Sequence, residues 1–517
     1  MKQEKWKEAF SDAMDELADE YLEEAGRENN TAALKPAKNR RIFIGIAAGL
    51  AAAAAVVFGV LAGTGALKKD PEVVVSAEPG TKTDAENETK PQWEGVKAMK
   101  NCALVTAEYP ERVVPSEDYN DDSWSAHFEE TRMRRELAAN YRGKLNDFLK
   151  ESVKTLLTEE GEENPVASPA NMYLAFALLA EASEGETREE VLRALGIGSM
   201  EELRQITNDY WNANYNESPF ETERFASSVW LNQGLPYLED KLVTFRDQYY
   251  ASVFQGPMGD PSYDAALRDW INDETGNLLS DGIKNISMDP RGVMDLVTTV
   301  YYKAVWGTLF NPEQTEEGEF HGIDGDSTVS YLRSDGWMSA YYAGEHFGAI
   351  SLTCGDQGEM IFFLPDEDTD ARSLASDEEA LSIMLDTAQE REEKWSEKER
   401  VAYPLIHLWI PKFDISSERD LAGAMQRMGI EKAFSEKDAD FSGILDTDDP
   451  VFLSKVQNNI RIAIDENGVT AASMIDMALA GAAIPQEEVD FKLDRSFMFA
   501  LRSGMGDLLF VGIVEQF

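Results

Sequence analysis

The sequence predicts an α+β domain with large, mainly antiparallel sheets, carried on a single membrane-spanning helix. Three observations lead there. Apolar positions recur at helical spacing over 128–157, 171–184 and 187–195. Strand-like runs follow at 225–231, 296–305, 359–364, 404–411 and 508–514. One uncharged apolar run, 42–67, stands apart from both groups. Helices first and strands later is the pattern of sheets with segregated helices. No segment recurs at the period of a solenoid or propeller.

The 517 residues, 43% of them hydrophobic, suffice for a substantial core. A net charge of -48 repels phosphate and argues against nucleic-acid binding. Cys102 and Cys354 are too few and too far apart for a disulfide framework or a metal knuckle, and are expected unpaired. His127, His321, His346 and His407 are scattered, so no metal site is expected. The chain has no G-x-S-x-G elbow, no H-E-x-x-H helix and no glycine-rich phosphate loop. Neither enzymatic activity nor a cofactor is therefore expected, and Ser442 reads as a turn residue.

As a helix, residues 42–67 would extend about 39 Å against a hydrocarbon core of about 30 Å. That length, 41 residues from the start, fits an uncleaved anchor better than a signal peptide. Lys35, Lys38, Arg40 and Arg41 precede it, against Lys68 and Lys69 after it, which places the N-terminus in the cytoplasm. The expected organisation is a cytoplasmic tail at 1–41, the span at 42–67, an extracytoplasmic linker at 68–92 and an outer domain at 93–517. In the tail, Trp6, Phe10, Met14, Leu17 and Tyr21 form an amphipathic stripe, which fits either a cytoplasmic partner or a solvated helix.

Within the outer domain an ordered series of motifs stands out. It begins with Asn164-Pro-Val-Ala-Ser168-Pro169, Gly185-Glu-Thr187 and Asp269-Trp-Ile-Asn272 with Thr275. Thr299-Val-Tyr-Tyr-Lys303 leads to Trp306, Phe310 and Phe320, and is followed by Leu408-Trp-Ile-Pro-Lys412-Phe413 and Ala439-Asp-Phe-Ser-Gly443. Ser454-Lys-Val456 and the C-terminal Phe491, Phe497, Phe499, Phe510 and Gly512 complete it. In this order the motifs resemble those of serpins, over about the last 390 residues. The resemblance implies the serpin fold and an inhibitor of serine or cysteine proteases. In that family, cleavage of an exposed loop lets its N-terminal part insert as a new strand, carrying the acylated protease along.

An insertable strand must alternate, because one face will be buried. With Gly468 as hinge, the inward set is Val469, Ala471, Ser473, Ile475, Met477 and Leu479, all small or apolar. The outward set is Thr470, Ala472, Met474, Asp476, Ala478 and Ala480, placing the only charge in solvent. No proline interrupts 468–484. The hinge Gly468, Val469, Thr470, Ala471, Ala472, Ser473 resembles that of inhibitory serpins, although Val469 and Thr470 depart from the family's usual Thr or Ser and Glu. The resemblance implies a reactive bond at Ala482-Ala483 when the family's usual spacing is counted from Gly468, and at Ala483-Ile484 when it is counted back from Phe491. Alanine at this position suits elastase-like pockets and gives nothing to a trypsin-like one, while subtilisin-like and papain-like targets stay open. The alternative is a non-inhibitory serpin-fold display module.

The resemblance also implies a gate at Ser168, Asn171, Thr298 and Asn458, with Trp306 at the upper end of the strand. Thr298 and Asn458 replace the family's usual Asn and His. Asn458 is expected to bridge to Thr298 and Ser168, giving an uncharged gate whose opening is independent of pH between about 5 and 8.

Overall fold

The computed structural model describes residues 102–115, 123–159, 162–280, 282–308, 310–447, 449–453, 456–469 and 487–517. The expected tail, span and linker lie outside them, as does the bait segment from Thr470 to Ile484. Among the described residues no helix is long and apolar enough to cross a membrane.

Among the described residues, three sheets organise the fold. The largest runs β1 (Ala103–Val105), β5 (Ala251–Gly256), β4 (Glu221–Asn232), β6 (Met294–Val305), β16 (Gly468–Val469), β15 (Gln457–Ile464), β14 (Phe413–Asp420), with β3 (Asn216–Glu217) paired to β4. The second runs β12 (Val401–Ala402), β9 (Tyr341–Ala343), β10 (Phe347–Cys354), β11 (Gly358–Pro365), β18 (Phe497–Arg502), β19 (Leu508–Val514), β2 (Val166–Ala167). The third runs β17 (Glu488–Lys492), β13 (Leu405–Pro411), β8 (Gly325–Met338), β7 (Glu316–Gly322). Most ladders are antiparallel, while β4 with β5 and β13 with β17 are parallel.

Helices α1 (Ser123–Tyr141) and α2 (Asn146–Leu157) fill the stretch where the periodicity predicts one helix. The break falls at Gly143, which takes a φ of 79° that helices do not accommodate. Next come α3 (Pro169–Ala182), α4 (Gly185–Leu195) and α5 (Met200–Asn214), then α6 (Glu239–Tyr249) and α7 (Pro261–Glu274). Ser168 and Ser199 accept a backbone N–H at the starts of α3 and α5, and Asp260 does so before Pro261. Because α3 is apolar all round, it can only be stable inside the protein, and thirteen of its fourteen residues are buried. Its one acid, Glu181, is held by Arg204 through two bonds of 2.8 Å and by the Tyr249 hydroxyl at 2.8 Å.

The main core lies between the large sheet, the second sheet and α3. β4 is buried on both faces: Phe225, Val229 and Leu231 join the main core, while Ala226 and Trp230 face a second core that includes Trp270 of α7. Trp230 stacks on Phe254 with centroids 4.2 Å apart. Ahead of α1, residues 102–115 extend the sheet through β1 and then cross its edge. Ala107 N donates to Ser252 Oγ at 3.0 Å, Tyr109 stacks on Trp211 and Tyr215, and its hydroxyl donates to Glu274 at 2.9 Å.

Beside the second sheet a charged network is enclosed. Arg391 of α8 (Ala388–Glu397), 1% exposed, gives two hydrogen bonds to Glu359 of β11, at 2.7 and 2.6 Å, and Arg502 approaches the same carboxylate at 3.3 Å. Burial pushes the Glu359 carboxyl up, but the two guanidiniums outweigh it and hold it below the usual range. Glu359→Ala would leave two buried cations without their shared anion, and is expected to cost about 3–5 kcal/mol in urea unfolding of the full chain.

Candidate functional site: the strand gap and its hinge

β15 and β6 are each antiparallel to β16, so they run parallel to one another. Among the described residues, β16 is the only strand between them, and their facing edges form no ladder with each other. Gly468 pairs with Val305, and Val469 pairs with Ala304 on one side and Ile464 on the other. Val469 is 1% exposed and packs in the main core with both partners, so it faces inward.

Local chemistry explains why the chain turns here. Asp465 Oδ1 accepts from Asn467 N at 2.8 Å and Gly468 N at 3.3 Å, and Asp465 N donates back to the Gly468 carbonyl at 3.1 Å. A Cβ on Gly468 would lie 2.0 Å from the Ala304 carbonyl oxygen, so only glycine lets the chain approach β6 this closely. Trp306, buried and edge-on to Phe310, clasps the turn: its N donates to the Asn467 carbonyl at 3.1 Å and its Nε1 to the Asp465 carbonyl at 2.8 Å.

Glu466 adds an anchor that the sequence reading missed. It bonds Lys412 Nζ at 3.0 and 3.1 Å and Thr315 Oγ1 at 2.8 Å. Burial raises this carboxyl, yet its hydrogen bonds, those from Lys412 and Thr315 among them, and the Lys412 charge bring it below the ordinary value. The signal was available as an acid two residues before the hinge and a lysine ending Leu408-Trp-Ile-Pro-Lys412.

Lower down, three of the four gate residues, Ser168, Asn171 and Thr298, come together. Ser168 Oγ donates to the Leu509 carbonyl at 2.7 Å and accepts from Asn171 N at 3.1 Å. Thr298 Oγ1 donates to the Asn171 carbonyl at 3.3 Å. The Asn171 and Asn458 side-chain oxygens are buried and accept no hydrogen bond. No hydrogen bond joins Asn458 to Thr298 or Ser168, so the expected bridge is not made; the hydroxyl protons of Ser168 and Thr298 go to main-chain carbonyls, which leaves neither for Asn458 Oδ1. Each orphaned oxygen costs about 1–3 kcal/mol. Of the hinge, Thr470, Ala471, Ala472 and Ser473 lie outside the described residues, with the reactive positions Ala482, Ala483 and Ile484.

Comparison with known proteins places this architecture. Residues 144–516 match the family described as "Serpin (serine protease inhibitor)". A putative serpin-Z12 from Oryza sativa subsp. japonica is 28% identical over 373 residues, which cover 68% of this chain and 85% of that protein. The native-state crystal structure of the thermophilic serpin tengpin superposes with a TM-score of 0.62 at 22% identity, covering 81% of this chain and 98% of that one. Thyroxine-binding globulin in complex with thyroxine shares the fold at a TM-score of 0.57 and 20% identity, over 71% of this chain and 98% of that one. With a family match over residues 144–516 and a strand gap already occupied at its upper end by the hinge, the chain belongs to the serpin family, a family of protease inhibitors rather than catalysts.

Proposed function

We propose that the chain is a membrane-anchored extracytoplasmic suicide inhibitor, which traps a serine protease of elastase-like or subtilisin-like preference, or a papain-like cysteine protease. One observation carries the reading: the hinge residues Gly468 and Val469 already sit between β6 and β15, with Val469 inward.

Continuing that register two residues at a time gives the inserted strand a defined seat. Ala471 would lie between Tyr302 and Ile462, Ser473 between Val300 and Ile460, and Ile475 between Thr298 and Asn458. On β6 and β15 these positions point to the main core, apart from the gate pair, so an inward set of small and apolar side chains suits them. Asp476 would fall opposite Val297, on the face where α7 and the second core lie, so it would be roofed in part rather than wholly in solvent. The facing edges of β6 and β15 would gain a ladder along their length, the thermodynamic drive for trapping.

The anchored topology rests on the 42–67 run and its flanking lysines and arginines. It suggests protection of the cell's own surface from nearby proteases, with the N-terminal tail available to a cytoplasmic partner.

The full chain in detergent micelles, mixed with an elastase-like protease, is expected to give a denaturant-resistant covalent complex, with cleavage after Ala482 or Ala483. A trypsin-like protease should give none. Clean cleavage without complex, against elastase-like, subtilisin-like and papain-like proteases alike, would favour the display-module reading instead. Ser473→Asp should turn the inhibitor into a substrate, since it would bury a carboxylate between Val300 and Ile460 at a cost of several kcal/mol. A variant that still traps protease at the wild-type ratio of complex to cleaved chain would refute the inward assignment.

A further inference from the structure

β4 enters the large sheet as Glu221-Thr222-Glu223-Arg224-Phe225, with odd-numbered positions pointing inward. Two of those inward positions are acids. Glu221 is 2% exposed and Glu223 1%. They stand opposite Ala304 and Tyr302 of β6, and Ala304 is also the partner of Val469. The first row across the head of the sheet therefore reads Glu221, Ala304, Val469, Ile464. In the second row Glu223 lies beside Tyr302, where Ala471 would arrive on insertion.

Neither acid lies in an ion pair among the described residues. Glu221 Oε2 accepts from Asp356 N at 3.0 Å and from Asn216 Nδ2 at 3.5 Å, while its Oε1 has no hydrogen-bond partner, and neither oxygen of Glu223 has one. The buried cation on this side, Arg134 of α1, donates instead to the Ala213 and Asn214 carbonyls and to Asn216 Oδ1. Arg112, from the segment before α1, donates to the Asn212 and Tyr215 carbonyls.

The surrounding acids are already served. Asp356, in the β10–β11 turn, has His127 of α1 at 3.5 Å and Asn216 at 3.1 Å. Asp507, between β18 and β19, accepts from Tyr141 at 2.6 Å and Asn214 at 2.8 Å. The other groups facing the pair, Tyr302, Tyr210 of α5 and Cys354, are uncharged, and burial pushes the pKa of each upward.

We infer that Glu221 and Glu223 form a proton-operated latch at the head of the large sheet: protonated, they hold the uncleaved arrangement, and ionised, they drive it toward the loop-inserted form. Burial and the Asp356 charge raise Glu221 to about 7, and burial with the Glu221 charge raises Glu223 well above the ordinary 4.5. A carboxyl that keeps its proton longer in the native state stabilises that state most below 4.5, and the contribution is lost as pH rises through 7. Widening the sheet by a strand moves β4 against α1 and the β10–β11 turn, and so admits water to the enclosure. The direction of that movement rests on the insertion reading; the effect of the acids on native stability does not. His127, whose pKa the Asp356 hydrogen bond raises, stands next to the latch, so the glutamine variants and not the pH profile alone assign the dependence to Glu221 and Glu223.

The test follows the full chain in detergent micelles as it converts to a heat-resistant, loop-inserted form between pH 5 and 8. Conversion should be about tenfold or more faster at pH 8, the ratio that one unit of pKa difference supports. Glu221→Gln with Glu223→Gln should convert slowly and equally at both pH values, with each single variant between. A flat wild-type profile, or a double variant that keeps the wild-type profile, overturns the latch. If nothing converts at any pH the insertion reading fails, and urea unfolding decides the latch alone. The wild type should then unfold at lower urea at pH 8 than at pH 5, and the double variant should abolish that difference; a difference that survives the double variant overturns the latch.

Discussion

Two parallel strands held apart at one end by two residues are the constraint on which this molecule turns. β6 and β15 form no ladder with each other among the described residues; an antiparallel strand between them satisfies both facing edges, and Gly468 and Val469 supply its first rung. Everything around that rung fixes it in place: the Asp465 turn, the clasp of Trp306, and the Glu466 ion pair with Lys412. Below it, the gate carries two buried amide oxygens with no donor. A firmly seated turn at Gly468 thus stands above hydrogen-bond capacity that is left unspent between β6 and β15.

The acids of β4 add a second unspent term to the same region. A central strand of a two-sided sheet normally offers apolar residues to both cores, as β4 does from Phe225 to Leu231. At Glu221 and Glu223 that rule is broken at the row where Val469 is seated, and the neighbouring arginines are spent on carbonyls. Local cost is concentrated where movement would relieve it.

Much of this was legible in the sequence. Periodicity located α3, α4 and the central strands within a few residues, and the motif series drew attention to Gly468, Val469, Ser168 and Thr298. Alternation about Gly468 gives the inward side of Val469 from the sequence, because a strand's period of two leaves no freedom once one residue is fixed. What could not be read were facts of assembly. Nothing local distinguishes an Asn458 that bridges from one whose would-be partners are taken by carbonyls of Leu509 and Asn171. Glu221 and Glu223 look like the exposed positions of an edge strand until β6, α1 and the turn of Asp356 close over them. Gly143 split a helix that apolar spacing alone carried through.

The segment from Cys102 to Pro115 has a mechanical meaning. It joins the large sheet as its outermost strand and is riveted by Tyr109 to the rings of α5 and to Glu274 of α7. Tension applied to the chain ahead of it would therefore be met first by the short β1–β5 ladder and that aromatic stack. Only after they yield would load reach β4, so the centre of the large sheet is shielded from whatever pulls on its leading end.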